Sequence, residues 1–161
     1  MDKISPRMIL SQARKDARCC WDVTSAFLNG EIDEEVYLLP PAELNLPKGK
    51  ILRLKKALYG WYRAQFCWWV KLCRILIDLG WNQSDWDTCV FYKEDMILGF
   101  HVDDIIVTGD NKKLDDFFTQ LSNHLEIKQG PLESYLGISY SVTKDAISMD
   151  MRNYIEDFRK I

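Results

Sequence analysis

No two cysteines of this chain form a Cys-X-X-Cys pair, and its five cysteines (Cys19, Cys20, Cys67, Cys73 and Cys89) are an odd number. Neither a disulfide framework nor a zinc site is supported, and a reducing compartment fits. Long apolar runs are missing too, and polar Asp2, Lys3, Ser5 and Arg7 occupy the stretch where a signal peptide needs its apolar core. The expectation is a soluble intracellular protein, cytoplasmic or nuclear, with no membrane partner. Net charge is small as well: a formal -3 and a pI near 5.4 argue against gripping nucleic acid over the whole surface.

At 161 residues the chain is expected to build one domain around one core, and 47% hydrophobic content with 12% aromatics reads as globular. Six tryptophans are more large apolar surface than so small a core needs, which predicts that some face a partner. Charge is polarised along the chain. Lys48, Lys50, Arg53, Lys55, Lys56, Arg63, Lys71 and Arg74 follow one another with no acid between them, whereas acids crowd residues 31–35 and 110–116.

Ser5-Pro6 sets a hydroxyl before a proline at a first helical position, and Met8, Ile9, Gln12 and Ala13 recur at helical spacing, predicting a helix over 6–17. The run 19–23 is too short for a helix and suits a strand ending at a carboxylate; 24–29 then form a tight turn or short helix closed by Gly30. Residues 36–39 and 51–54 read as a peripheral hairpin. Phe66, Trp69, Val70, Cys73, Ile75, Leu76 and Leu79 trace an apolar helical stripe stopped by Gly80. Strand-like stretches follow at 89–92, 96–102 and 105–108, then a helix capped by Asn111 with Leu114, Phe117, Phe118, Leu121 and Leu125 on one side. Strands at 135–142 and 146–149, joined by a Lys144-Asp145 turn, and a last helix from Arg152 complete the expectation. The core order is strand, helix, hairpin, helix, strand. That predicts an α+β fold: an antiparallel sheet with a βαββαβ (split βαβ, ferredoxin-like) core and its helices packed on one face.

Asp103 and Asp104 sit at the tip of the predicted hairpin, between apolar strands that an acidic pair would destabilise unless a cation shares the site. The split βαβ order makes the strand ending at Asp22 a sheet neighbour of that tip, so three carboxylates converge. Such hard oxygens suit magnesium, which takes one or two protein carboxylates and completes its shell with substrate phosphates. Two such ions about 4 Å apart can drive an in-line displacement at phosphorus. The alternative is an acidic turn on a solvated edge.

The neighbouring blocks favour the first reading. Asp22-Val-Thr-Ser-Ala-Phe-Leu-Asn-Gly-Glu31, Arg53-Leu-Lys-Lys-Ala-Leu-Tyr-Gly60, His101-Val-Asp-Asp104, then Ile127-Lys-Gln-Gly-Pro-Leu and Tyr135-Leu-Gly-Ile138 stand in one order. In that order the chain resembles the reverse transcriptase of Ty1/copia-type long-terminal-repeat retrotransposons. The resemblance implies a single palm-type domain over 1–161, with the fingers largely absent and the thumb and ribonuclease H regions absent. It implies RNA-directed DNA polymerase chemistry with Asp22, Asp103 and Asp104 as the acidic triad. Mg2+ or Mn2+ would be held by Asp22, Asp103 and the backbone of Val23. The amides of Val23, Thr24, Ser25 and Ala26 would meet the incoming triphosphate, and Phe27 would exclude a ribose 2′-hydroxyl. Tyr59 and Gly60 would lie near the base and template. Arg53, Lys55, Lys56, Arg63 and His101 would contact nucleic acid, with Trp61, Tyr62 and Trp68 available to stack on bases and Trp69 on the core stripe. Implied partners are a primer–template and a deoxynucleoside triphosphate. A shortened retroelement remnant acting as a non-catalytic binding or self-assembly module is the alternative. Apolar faces uncovered by the missing subdomains predict a homo-oligomer, most simply a twofold dimer, which a monomer in light scattering would contradict. The chain departs from the family at His101, where a tyrosine is usual, and at Trp61-Tyr62-Arg63-Ala64-Gln65, where the family reads close to Leu-Lys-Gln-Ala-Pro.

Overall fold

The alternation of Trp21 and Val23 with Asp22 explains much of the architecture, because a strand must send these residues to opposite sides of its sheet. The computed structural model describes residues 5–12, 18–130, 134–136, 138–143, 146–152 and 155–156. Its elements are α1 (Ser5–Gln12), β1 (Arg18–Val23), α2 (Ala26–Asn29), β2 (Tyr37–Leu38), β3 (Leu52–Arg53), α3 (Ala64–Asp78), β4 (Asn82–Gln83), β5 (Val90–Lys93), β6 (Met96–His101) and β7 (Asp104–Thr108). They continue with α4 (Asn111–Ser122), β8 (Ile127–Gly130), β9 (Ser134–Tyr135), β10 (Ile138–Val142) and β11 (Ile147–Asp150). The protein is mixed α/β. A six-stranded antiparallel sheet runs β4-β5-β6-β7-β1-β8, and a three-stranded sheet runs β11-β10-β9.

The larger sheet has two unlike faces. On one, Trp21, Val23, Leu98, Phe100, Ile105 and Val107 pack with Trp68, Leu72 and Leu76 of α3 and Leu114, Phe117 and Leu121 of α4. Each such fully buried side chain contributes roughly 1.5–3 kcal/mol by leaving water. On the other face Ile106 packs with Ile9 and Leu10 of α1 and with Tyr135 and Tyr140. The predicted helices α3 and α4 therefore share one face, while α1 covers part of the opposite one.

The peripheral hairpin expected around 36–54 is present as β2 paired with β3. Gly80, in the left-handed region at φ 82, ends α3 as its position implied. Asn111 is not the cap of α4. Asp110 holds extended backbone, and its carboxylate accepts from the amides of Lys112 and Lys113. The carboxylate one residue earlier is the one that can fold back over the first turn. Residues 13–17 of the first predicted helix, the Lys144-Asp145 turn and most of the predicted last helix lie outside the described residues.

The tryptophans divide differently from expectation. Trp21, Trp68 and Trp81 are 0–2% exposed, Trp61 and Trp69 are half-buried, and of the six Trp86 alone is fully exposed at 99%. Most of the apparent surplus is core. Trp68 cannot stack on a base from a position 1% exposed. Among the described residues no helix is long and apolar enough to cross a membrane.

Candidate active site

The site is assembled by strand register. Asp22 of β1 pairs with Asp104 of β7 on one side and with Lys128 of β8 on the other, and Asp104 pairs in turn with His101 of β6. Directly opposed residues share a face and lie about 5 Å apart at Cβ. The row His101–Asp104–Asp22–Lys128 thus crosses the end of the sheet on the face opposite α3 and α4. Asp103 belongs to the two-residue tip between β6 and β7, and its carbonyl accepts a 2.9 Å bond from the amide of Val23. The structure therefore gathers Asp22, Asp103 and Asp104 as the sequence predicted.

Two strained residues bracket these acids. Val102 at the tip has φ 55, and Ser25 just after β1 has φ 53 and ψ 47. A β-branched residue in the left-handed region is a steric outlier, and such outliers persist where surrounding structure enforces them. For Val102 the enforcing contact is a 2.7 Å bond from the Trp68 indole N–H to its carbonyl.

Electrostatically the cluster is uncompensated. Among the described residues no Lys, Arg or His lies within 4.0 Å of the Asp22, Asp103 or Asp104 carboxylates as an ion-pair partner. Burial, then the negative charges of Asp103 and Asp22, push the Asp104 carboxyl above the usual range, while His101 pulls it the other way. Among the described residues no three His, Cys, Asp or Glu side chains form a ready-made metal cage. The donor set is instead a few carboxylates at an open strand end, mutually repelling and with no base in ion-pair contact among the described residues. That chemistry fits a hard divalent ion that finishes its coordination with water or substrate oxygens.

The segment after β1 supplies the rest. The amides of Val23 and Thr24 are committed to the carbonyls of Asp103 and Glu126, each at 2.9 Å, whereas Ser25 and Ala26 lie beyond the sheet. This narrows the predicted amide set to Ser25 and Ala26. Phe27 packs against Tyr59 with ring centroids 4.7 Å apart and the rings tilted by 50°, and Tyr59 is exposed. Gly60 follows at φ 87 with nothing within 4 Å of a notional Cβ, so backbone conformation alone calls for glycine.

The predicted basic contacts separate into two groups. Arg53 pairs with Glu35 at 3.0 Å and Arg63 with Asp33 at 2.6 Å, so the acidic 31–35 segment folds onto the basic run. Lys55 and Lys56 are exposed and make no ion pair among the described residues. His101 is exposed at the end of the row and also lines a cleft with Arg7, Leu136, Ile138 and Tyr140. Lys128 was not among the predicted site residues. Its only sequence signal was membership of the block beginning at Ile127, and strand register is needed to set it beside Asp22.

Known proteins are similar to this chain over most of its length. A family model described as reverse transcriptase (RNA-dependent DNA polymerase) matches residues 4–160. The retrovirus-related Pol polyprotein from transposon RE1 of Arabidopsis thaliana is 32% identical over 144 residues, 84% of this chain and 10% of that protein. The corresponding polyprotein from transposon TNT 1-94 of Nicotiana tabacum is 30% identical over 146 residues, 84% of this chain and 11% of its own length. The Ty1-MR1 Gag-Pol polyprotein of Saccharomyces cerevisiae is 33% identical over 97 residues, 56% of this chain and 5% of its own length. The chain thus spans about a tenth of the plant polyproteins it matches. The match along nearly its whole length, with plant and yeast transposon relatives, makes this chain a member of the reverse transcriptase (RNA-dependent DNA polymerase) family, of the Ty1/copia type.

Proposed function

We propose that this chain is the palm of a Ty1/copia-type reverse transcriptase and that RNA-directed DNA polymerase chemistry centres on Asp22, Asp103 and Asp104. The observation that carries the reading is the Asp22–Asp104 register with Asp103 alongside and no base ion-paired to these three acids among the described residues. The strand order β6-β7-β1-β8, with α3 and α4 as crossovers packed on one face, supports it as the split βαβ plan of a palm.

The reaction is attack of a primer 3′-hydroxyl on the α-phosphorus of a deoxynucleoside triphosphate, with loss of pyrophosphate. Asp22, Asp103 and the backbone of Val23 would hold Mg2+ or Mn2+, which when bound supplies charge neutralisation and Lewis acidity at the phosphates. Asp104 shapes the field around the two ligands. The amides of Ser25 and Ala26 face the triphosphate. Phe27, backed by Tyr59, closes the sugar pocket so that a 2′-hydroxyl clashes, and Tyr59 with Gly60 flanks the base and template. Lys55, Lys56 and His101 remain available for the phosphate backbone of a primer–template, while Arg53 and Arg63 contribute only when released from their acids.

Primer extension on an RNA template tests this. Mg2+-dependent extension is expected from the wild-type chain, with Asp103→Asn reducing it on the order of a thousandfold. Failure of the wild-type protein to bind divalent metal or deoxynucleotide would contradict it. A second reading is favoured by one observation, the internal neutralisation of Arg53 and Arg63, which takes two of the predicted nucleic-acid contacts out of the free basic surface. In that reading the chain is a non-catalytic binding or self-assembly module, a homodimer through exposed groups such as Trp86, and Asp22 and Asp103 can be neutralised without loss of its role.

A further inference from the structure

Three buried tryptophans contribute to the core behind the sheet, yet only one has a partner for its ring nitrogen. Trp21 and Trp81 leave their indole N–H without an acceptor. Trp68, equally buried, donates at 2.7 Å to the carbonyl of Val102, the residue held at φ 55 immediately before Asp103. Packing alone evidently does not demand that bond, since its neighbours do without one.

We propose that Trp68 is a positioning residue that fixes the carboxylate-bearing tip and ties it to the sugar-excluding segment; this rests on the polymerase reading above. The tip is pinned from both sides of the sheet end. Val23 donates to the carbonyl of Asp103 from β1, and Trp68 donates to the carbonyl of Val102 from α3. Two successive carbonyls are thereby fixed, so the two peptide planes flanking the Asp103 Cα, and with them the origin of its side chain, have little freedom. Val102 resists this geometry because its branched Cβ crowds the left-handed backbone, and the bond from Trp68 offsets that resistance.

The other end of the same residue meets α2. A Cβ on Gly30 would come within 2.9 Å of the Trp68 backbone nitrogen, so the chain after Phe27 lies directly against this turn of α3. The Gly30 carbonyl accepts from the amide of Ala57 at 3.0 Å, which anchors the approach to Tyr59 and its ring partner Phe27. Side chain and backbone of one residue therefore set the relative placement of the metal-binding tip and the nucleotide pocket.

Trp68→Phe deletes the donor and keeps an aromatic ring. Amide hydrogen exchange at Val23 is expected to quicken about fivefold, as for loss of one hydrogen bond. Exchange at Leu98 and Val107, farther along the ladder, should not change. In primer extension kcat should fall by a similar factor or more, with the KM for nucleotide changing less than about twofold. Val102→Gly removes the resistance, so in that background Trp68→Phe should barely alter Val23 exchange. Equal effects in both backgrounds, or unchanged Val23 exchange, would overturn the proposal. If Trp68→Phe does not fold, the wild-type indole proton of Trp68 decides: exchange slowed in step with the Val23 amide supports the bond, and free exchange overturns it. A wild-type chain that exchanges as expected but extends no primer would defeat the polymerase reading while leaving the Trp68 contact established.

Discussion

Two groups of acids in this molecule differ in one respect. The 31–35 segment meets a base at each carboxylate: Glu31 with Lys71 at 2.8 Å, Asp33 and Glu34 with Arg63 at 2.6 and 3.9 Å, and Glu35 with Arg53 at 3.0 Å. Asp22, Asp103 and Asp104 meet none among the described residues. Titration follows: the bond and charge of Lys71 hold the Glu31 carboxyl below the usual range, whereas burial and its acidic neighbours raise that of Asp104. The first group is part of the fold's own charge balance. The second is folded at a cost, with Asp103 and Asp104 half-buried, Asp22 exposed and strained backbone on either side, and leaves room for a cation from outside.

The sharpest break between the two is expected at Asp104. Its raised pKa means the folded state holds the proton more tightly than the unfolded chain does. The stability linked to it is fully present below the ordinary carboxylate pKa and is lost as pH rises through the folded value. Asp104→Asn should therefore raise Tm at neutral pH, with the gain vanishing in acid below the ordinary carboxylate range, even as polymerisation declines. Thermal denaturation across that range checks it, and a lowered Tm at neutral pH would reverse the sign of the argument. A smaller effect is expected at Arg63→Ala, which unpairs two exposed acids of the other group. Exposed ion pairs are weak and screened, so Tm should move by no more than about 2 °C, and by less at high salt.

The acids and their order along the chain were legible in the sequence, because the ordered neighbouring blocks favour a site over a solvated acidic turn and the split βαβ order brings Asp22 beside the hairpin tip. The helices α3 and α4 were equally legible from their apolar stripes. What stayed hidden depends on contacts far apart in sequence. Lys128 joins the row only through the β1–β8 register, and Trp68 looked like a base-stacking candidate until its indole was placed behind the hairpin tip. The neutralisation of Arg53 and Arg63 was hidden for the same reason: a basic run reads as a nucleic-acid surface until tertiary structure folds an acidic loop across it. Local chemistry also misled once, since Asp110 and Asn111 are both good caps and only backbone geometry chooses between them.

The central claim, that the bare acidic row rather than the paired one is a divalent-cation site, is tested most directly by counting bound Mn2+ by electron paramagnetic resonance in the presence of a deoxynucleoside triphosphate. The account predicts protein-dependent binding that disappears in the double variant Asp22→Asn with Asp103→Asn and persists in Glu31→Gln with Asp33→Asn. Binding that survives the first pair of substitutions, or is lost with the second, would contradict it.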